Sequence, residues 1–200
     1  MHSAGETIPE RENESDPGWS AIYTRHQHEK VISRLLSEKG FKVFLPLYNV
    51  ARRWKDRTKL LSLPLFPCYV FVWGGLERRL DIVTTPGFYS FVGTGVHPDI
   101  IPSGEIESIR QASIAGSLVE PYPYLGFGDW VRIVSGPLEG IEGILVRKKN
   151  AFRLVLSVEL LEKSVAVEVD ACSVERIDGR NRVAMTPSLR TNLPAATFHG

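Results

Sequence analysis

A chain of 200 residues and 22.4 kDa suits one large domain or two small ones. Its 43% apolar and 24% charged residues, with a mean hydropathy of -0.07, exclude global disorder. Its longest uncharged run, Leu60 to Leu76, is broken by Pro64, Pro67 and Gly74-Gly75 and is too short for a span of roughly 20 apolar residues. Residues 1–18 are acidic and lack an apolar stretch, so no secretory signal is expected and the cytoplasm is the expected location. Cys68 and Cys172 lie far apart and form no C-x-x-C pair; both are expected as half-buried free thiols, with no disulfide framework and no metal site.

The net charge of +1 hides an asymmetry. Residues 1–18 carry a net charge of -4 and 179–200 a net of +3, and both ends lack regularly spaced large apolar residues. Such segments bury too little surface to offset ordering entropy, so disordered tails are expected at 1–17 and 179–200. Within the folded part, Arg52, Arg53, Lys55, Arg57 and Lys59 against Asp56 give a net of +4 over the eight positions 52–59.

In chain order, Trp19 to Thr24 reads as a strand, and Val31, Ile32, Leu35 and Leu36 repeat at helical spacing up to Gly40, which sits where a helix C-terminal cap belongs. Phe41 to Val50 reads as one strand running into the basic segment, which is expected to protrude as a loop or hairpin. Two prolines confine the first half of Leu63–Val72 to edge or loop geometry, with strand beginning near Cys68. A short helix over 76–85, a Pro86-Gly87 turn and a strand over Phe88–Val92 follow, and Ser103 is placed as the hydroxyl N-cap of a third helix carrying Ile106 and Ile109. From Pro121 onward, short alternating valine- and leucine-rich runs are punctuated by Gly136-Pro137, Gly140, Gly143 and 148–150, a pattern of several short strands that predicts a small β-barrel. The resulting expectation is α+β: a sandwich of antiparallel sheet and helices over 18–116, a linker at 117–126 and the barrel at 127–178.

Catalysis is not expected. His26 and His28 are two apart and share no helical face, His97 beside Pro98 reads as a loop residue, and no nucleophile elbow, phosphate loop, zinc or dinucleotide signature is present. A binding constellation is stronger. Tyr23, Phe66, Pro67, Tyr69 and Phe71 are large residues on proline-stiffened backbone, and they read either as interface anchors or as the core of a sheet. The basic segment reads either as a solvated loop or as a phosphate-attracting patch in which Trp54 stacks on an unpaired base.

The block at 128–146, Gly-Asp-Trp-Val-Arg-Ile-Val-Ser-Gly-Pro-Leu-Glu-Gly-Ile-Glu-Gly-Ile-Leu-Val, resembles the KOW motif of the NusG family of transcription elongation factors. The pattern of that family's N-terminal (NGN) domain appears in order as Trp19 to Tyr23, Glu29, Phe44 to Pro46, Pro64 to Val72, Thr85 to Gly87 and Phe91 to Gly93. The resemblance spans about 160 residues. It implies an NGN domain that docks on the clamp helices of the RNA polymerase β′ subunit through Tyr23, Phe66, Pro67, Tyr69 and Phe71, completed by Ile106 and Ile109. It also implies that Arg25 and the patch of Arg52, Arg53, Lys55, Arg57 and Lys59 face upstream or non-template DNA. Pausing would be suppressed and termination modulated with no cofactor, by a monomer.

In the KOW block, Gly128, Asp129, Val131, Gly136, Pro137, Gly140 and Gly143 shape strand starts, turns and close approaches. Ile141 is either an exposed contact for a ribosomal protein or Rho, or a barrel-edge core residue. The chain departs from the family pattern at Arg78-Arg79-Leu80-Asp81, where RfaH-like operon-directed antiterminators carry a His-Thr-Thr-Thr element touching the polymerase β gate loop, and at Ile141, where the general factor has Phe. These departures point toward a specialised paralogue. A ribosome-associated or general RNA-binding KOW protein is the competing expectation.

Overall fold

The computed structural model describes residues 17–54, 57–75, 77–93, 98–124, 128–148 and 151–177. Both expected tails, apart from residue 17, and Lys55, Asp56, His97 and the 149–150 turn lie outside the described residues.

A four-stranded antiparallel sheet organises the N-terminal half. Its strands are β1 (Trp19–Thr24), β2 (Lys42–Phe44), β5 (Tyr69–Trp73) and β6 (Phe88–Phe91), in the order β2-β5-β1-β6. Strand alternation gives the sheet two apolar faces. Ile22, Val70 and Val72 point to one, where Ile32 and Leu36 of α1 (Glu29–Glu38) and Ile82 of α2 (Arg79–Val83) close a core. Trp19, Ala21, Tyr69 and Phe71 point to the other, where α3 (Ser103–Ile114) packs with Ile106 and Ile109 fully buried.

Helix α1 stops where Gly40 takes φ 85°, so that the N–H of Gly40 reaches the carbonyl of Ser37 at 2.9 Å and that of Phe41 reaches Leu36 at 3.1 Å. The stretch expected as one strand over Phe41–Val50 divides at Leu45-Pro46. Its first part is β2, and its second part is β3 (Leu47–Trp54), which leaves the sheet to pair with β4 (Arg57–Pro64) as an isolated ribbon. Proline removes a ladder donor, so one strand cannot run through position 46. Ser103 is the first residue inside α3 rather than its cap: Pro102 holds the cap position, no side chain caps the helix, and the Pro102 carbonyl accepts from the Glu105 N–H at 3.0 Å.

The C-terminal half is a six-stranded antiparallel sheet in the order β12-β8-β9-β10-β11-β7. Its strands are β7 (Val119–Tyr122), β8 (Asp129–Ile133), β9 (Glu142–Lys148), β10 (Ala151–Val158), β11 (Lys163–Val169) and β12 (Val174–Arg176). Residues 119–122, expected within a linker, are therefore an edge strand: Val119 and Tyr122 pair with Val167 and Ser164 of β11. Gly143 earns its place by close approach, since a Cβ there would lie 2.5 Å from the Val155 carbonyl oxygen on β10. Gly140 lies at φ 85°, where a side chain would be strained. Ion pairs tie strands of this sheet together: Arg132 with Glu142, Arg153 with Glu120, and Arg176 with Asp129. Among the described residues no helix is long and apolar enough to cross a membrane. Cys68 and Cys172 are free; Cys68 is half-buried as expected, but Cys172 is exposed.

Candidate docking face and basic ribbon

The face of β1 and β5 that carries the expected anchors does not end at α3. Its apolar cluster runs from Phe66, Tyr69, Phe71, Ile106 and Ile109 into Val131, Ile133, Leu154, Leu156, Val158, Val165 and Val167 of the C-terminal strands and Ile141 just before β9. Helix α3 packs against β10. Polar contacts edge the same junction. Gln111 Nε2 donates to the carbonyls of Pro137 and Glu139 at 3.1 and 3.4 Å, and the Glu159 N–H donates to Glu105 Oε2 at 3.2 Å. Lys163 Nζ lies 5.7 Å from the centre of the Tyr69 ring, a cation held over a negative π face.

Phe66, Tyr69 and Phe71 are buried, at 1%, 7% and 0% exposure, and Ile106 and Ile109 are inaccessible. In this arrangement the five do not form an open hollow: Ile106 and Ile109 of α3 pack with Phe66, Tyr69 and Phe71 in one closed cluster that runs on into the C-terminal strands. Exposure survives at the rim. Pro67 is exposed and Tyr23 half-buried, and the Tyr23 ring meets both Tyr69 at 5.3 Å and the exposed Tyr89 at 5.6 Å, edge to face. Tyr89 was not singled out in the sequence; the only signal for it is its place one residue inside the strand after Pro86-Gly87. Phe66 packs edge-on against Phe71 at 5.6 Å, and Arg110 of α3 lies over Trp19 and Phe44 at 5.5 and 5.1 Å.

The chain reaches Tyr69 through a left-handed residue, Cys68, at φ 68°. Its N–H donates to Glu29 Oε1 at 2.8 Å, and Glu29 is itself buried in the first turn of α1, where a carboxylate is favoured by the helix dipole. Burial raises the Cys68 thiol pKa, Glu29 adds to the rise and Lys163 opposes it. Burial likewise raises the Tyr69 phenol, with Tyr23 and Cys68 contributing. A thiol held protonated is a poor nucleophile. Among the described residues no group of three His, Cys, Asp or Glu side chains could hold a metal ion.

The basic segment forms the outer part of the β3–β4 ribbon. Arg52, Arg53, Arg57 and Lys59 are all exposed, as are Trp54 at 63% and Leu60 at 66%; Lys55 lies outside the described residues. The base of the ribbon is tied down: Lys30 Nζ of α1 donates to the Ser62 carbonyl at 2.6 Å, and Tyr48 packs against the same cluster as Phe66 and Tyr69. Arg25 is exposed in the turn after β1, its N–H bonded to the Gly87 carbonyl at 2.9 Å, on a different element from the ribbon.

Of the C-terminal positions, Gly128, Gly136 and Gly140 have positive φ, Pro137 is exposed, Val131 is buried, and Asp129 pairs with Arg176 at 2.8 Å. Ile141 is buried at 3% in the shared cluster, the core position of the two alternatives.

Residues 17–110 match the family described as "Transcription termination factor nusG". The chain is 28% identical over 177 residues to the transcription termination/antitermination protein NusG of Thermus thermophilus, covering 78% of this chain and 96% of that protein. It is 27% identical over 177 residues to the protein of the same name from Lactococcus lactis, covering 81% and 94%. A solved structure described as "Domain interaction in Thermotoga maritima NusG" is 22% identical and covers 81% of this chain and 98% of that one, with a TM-score of 0.48. Residues 17–110 thus match the NusG family model, and the chain is similar to NusG proteins of other bacteria along nearly their whole length.

Proposed function

We propose that this protein is a transcription elongation and antitermination factor whose N-terminal NGN domain grips the clamp helices of the polymerase β′ subunit through the face bearing Tyr23, Phe66, Pro67, Tyr69 and Phe71, with Ile106 and Ile109 behind it. One observation carries the reading: the N-terminal sheet closes one apolar face with its own α1 and α2, while the apolar cluster of the other takes in α3 and runs on into strands from beyond residue 118. A face finished by a separate sheet, with polar contacts at its edge, is suited to exchanging one apolar partner for another. A pair of helices presenting an apolar ridge is such a partner.

The C-terminal sheet is read as a KOW barrel that also recruits a ribosomal protein or Rho. It must leave the docking face before polymerase binds, and Ile141 then becomes available. The exposed Arg52, Arg53, Arg57 and Lys59, with Arg25 and Lys55, would lie toward DNA. The factor works as a monomer in the cytoplasm, without a cofactor, and shifts the polymerase only by binding the elongating state more tightly than the paused one. At the family's β gate loop position, α2 presents an exposed Leu80 beside an Arg78–Asp81 pair at 3.0 Å, so any contact there is made by different chemistry. The general RNA-binding alternative has less support, because Arg132, Arg153 and Arg176 of the C-terminal sheet are each ion-paired.

The test uses the full chain with core polymerase. A 1:1 complex and lengthened transcripts through a pause site are expected, and Tyr69→Ala should weaken association by roughly tenfold or more, as truncation of an aromatic anchor does. Unchanged pausing at saturating protein, or full association by the Tyr69 variant, would refute the docking face.

A further inference from the structure

Strand β6 carries a bulge. Its register against β1 pairs Ile22 with Phe91 and Tyr23 with Ser90 but then Thr24 with Phe88, so Tyr89 is an extra residue between two paired ones. Both faces of the sheet are affected. Phe88 and Phe91, three apart, both pack into the core closed by α1 and α2, their rings edge to face at 5.3 Å, whereas strict alternation would send them to opposite sides. An unbroken strand anchored by Phe91 would carry Tyr89 into that core as well. The extra residue leaves it on the other face, where its ring meets Tyr23.

Tyr69, Tyr23 and Tyr89 thus form one row of rings across the neighbouring strands β5, β1 and β6, in edge-to-face contacts of 5.3 and 5.6 Å. Exposure climbs along the row, from 7% at Tyr69 through the half-buried Tyr23 to 64% at Tyr89. We infer that Tyr89 is a further polymerase contact and the first one made: the helix pair lands on its ring while Phe66, Tyr69 and Phe71 are still enclosed, then advances along the row as the C-terminal strands withdraw. The inference rests on the proposed docking face and adds to it a contact residue and an order of events. Continuity selects the occupant. Rings spaced 5.3 and 5.6 Å apart fit beneath a single α-helix, roughly 10–12 Å across with its side chains, so a helix seated on Tyr69 and Tyr23 reaches Tyr89 too. A tyrosine suits the rim, because it offers a rigid ring at little entropic cost and a hydroxyl that stays wet. Its position decides its kinetic role. A contact made before the enclosed rings are uncovered, and kept afterwards, speeds association, whereas most interface truncations act on dissociation.

The experiment follows association of labelled full-length protein with core polymerase by stopped flow over a range of polymerase concentrations. With the rim touched first, the observed rate should rise with polymerase and level off at the rate of uncovering. Tyr89→Ala should lower the initial slope by about five- to tenfold, the effect of truncating an aromatic anchor, and leave the plateau and the dissociation rate within about twofold. Tyr89→Phe keeps the ring and should restore most of the slope, while Gln111→Ala, which loosens the cover, should raise the plateau. The thermal midpoint of Tyr89→Ala should stay near that of the unaltered protein, as exposed positions usually allow, which separates lost contact from lost fold. An unchanged slope in Tyr89→Ala, a loss confined to dissociation, no rescue by Tyr89→Phe, or an observed rate that falls as polymerase rises would each overturn the inference. Where Tyr69→Ala still weakens the complex in those cases, the docking face survives without the foothold. Failure of the unaltered protein to associate at all would remove both.

Discussion

The buried carboxylate of Glu29, at the first position of α1, accepts a 2.8 Å hydrogen bond from the backbone N–H of Cys68, 39 residues along the chain. That bond fixes the left-handed turn at Cys68, and the turn sets the register in which Tyr69 and Phe71 face one core while Val70 and Val72 face the other. A helix start and a strand start are thus joined by one side chain. The docking face depends on the joint.

Glu29→Ala should therefore destabilise the protein by about 1–3 kcal/mol, since it strips a buried backbone donor of its partner. Glu29→Gln keeps an oxygen acceptor and should retain most of that stability. Denaturant unfolding of both variants checks the difference, and equal losses would assign the effect to charge rather than to the bond.

Alkaline pH should loosen the same region. Cys68 and Tyr69 hold their protons more tightly folded than unfolded, both mainly because burial disfavours the charged form. Their contribution is constant below the ordinary thiol value of 9.0 and is lost as pH rises through the raised values of the folded state. The thermal midpoint should be flat toward pH 9 and then fall, with Cys68→Ser moving the onset toward the ordinary phenol value of 10.0. A midpoint that rises in that window would contradict the burial account.

Uncovering the docking face should strengthen polymerase binding. Removal of the Gln111 contacts to the Pro137 and Glu139 carbonyls by Gln111→Ala costs the covered state about 1 kcal/mol, which raises the uncovered population and the apparent affinity about fivefold. Titration of labelled protein against core polymerase reads the change. Lys163→Ala, which removes the cation from the Tyr69 ring, should act in the same direction.

Gly143→Ala should destabilise the C-terminal sheet by about 1–3 kcal/mol, the usual cost of forcing extra volume into a packed site. The Cβ would meet a backbone oxygen 2.5 Å away, which cannot swing aside as a side chain can. Hydrogen exchange localised to β9 and β10 would report it, and unchanged protection there would show that the strands separate without cost.

The sequence alone determined the local pieces of this protein. Helical spacing and Gly40 defined α1 and its end, period-two runs defined β1, β5 and β10, and the glycines of 128–143 marked turns and a close approach, because each signal arises between residues near in the chain. The split at Pro46 was also written locally, but the alternation on either side of it masked the break. The residue types of the candidate site were legible in the same way: proline-bounded aromatics, and a basic run with a tryptophan inside it. Their relations were not. Whether Phe66, Tyr69 and Phe71 meet solvent or the C-terminal strands depends on contacts between residues far apart in sequence, which no periodicity encodes. Likewise, only the pairing of β3 with β4 puts Arg52, Trp54, Arg57 and Lys59 on one side and Arg53 on the other, since a ribbon's faces are set by register rather than by composition.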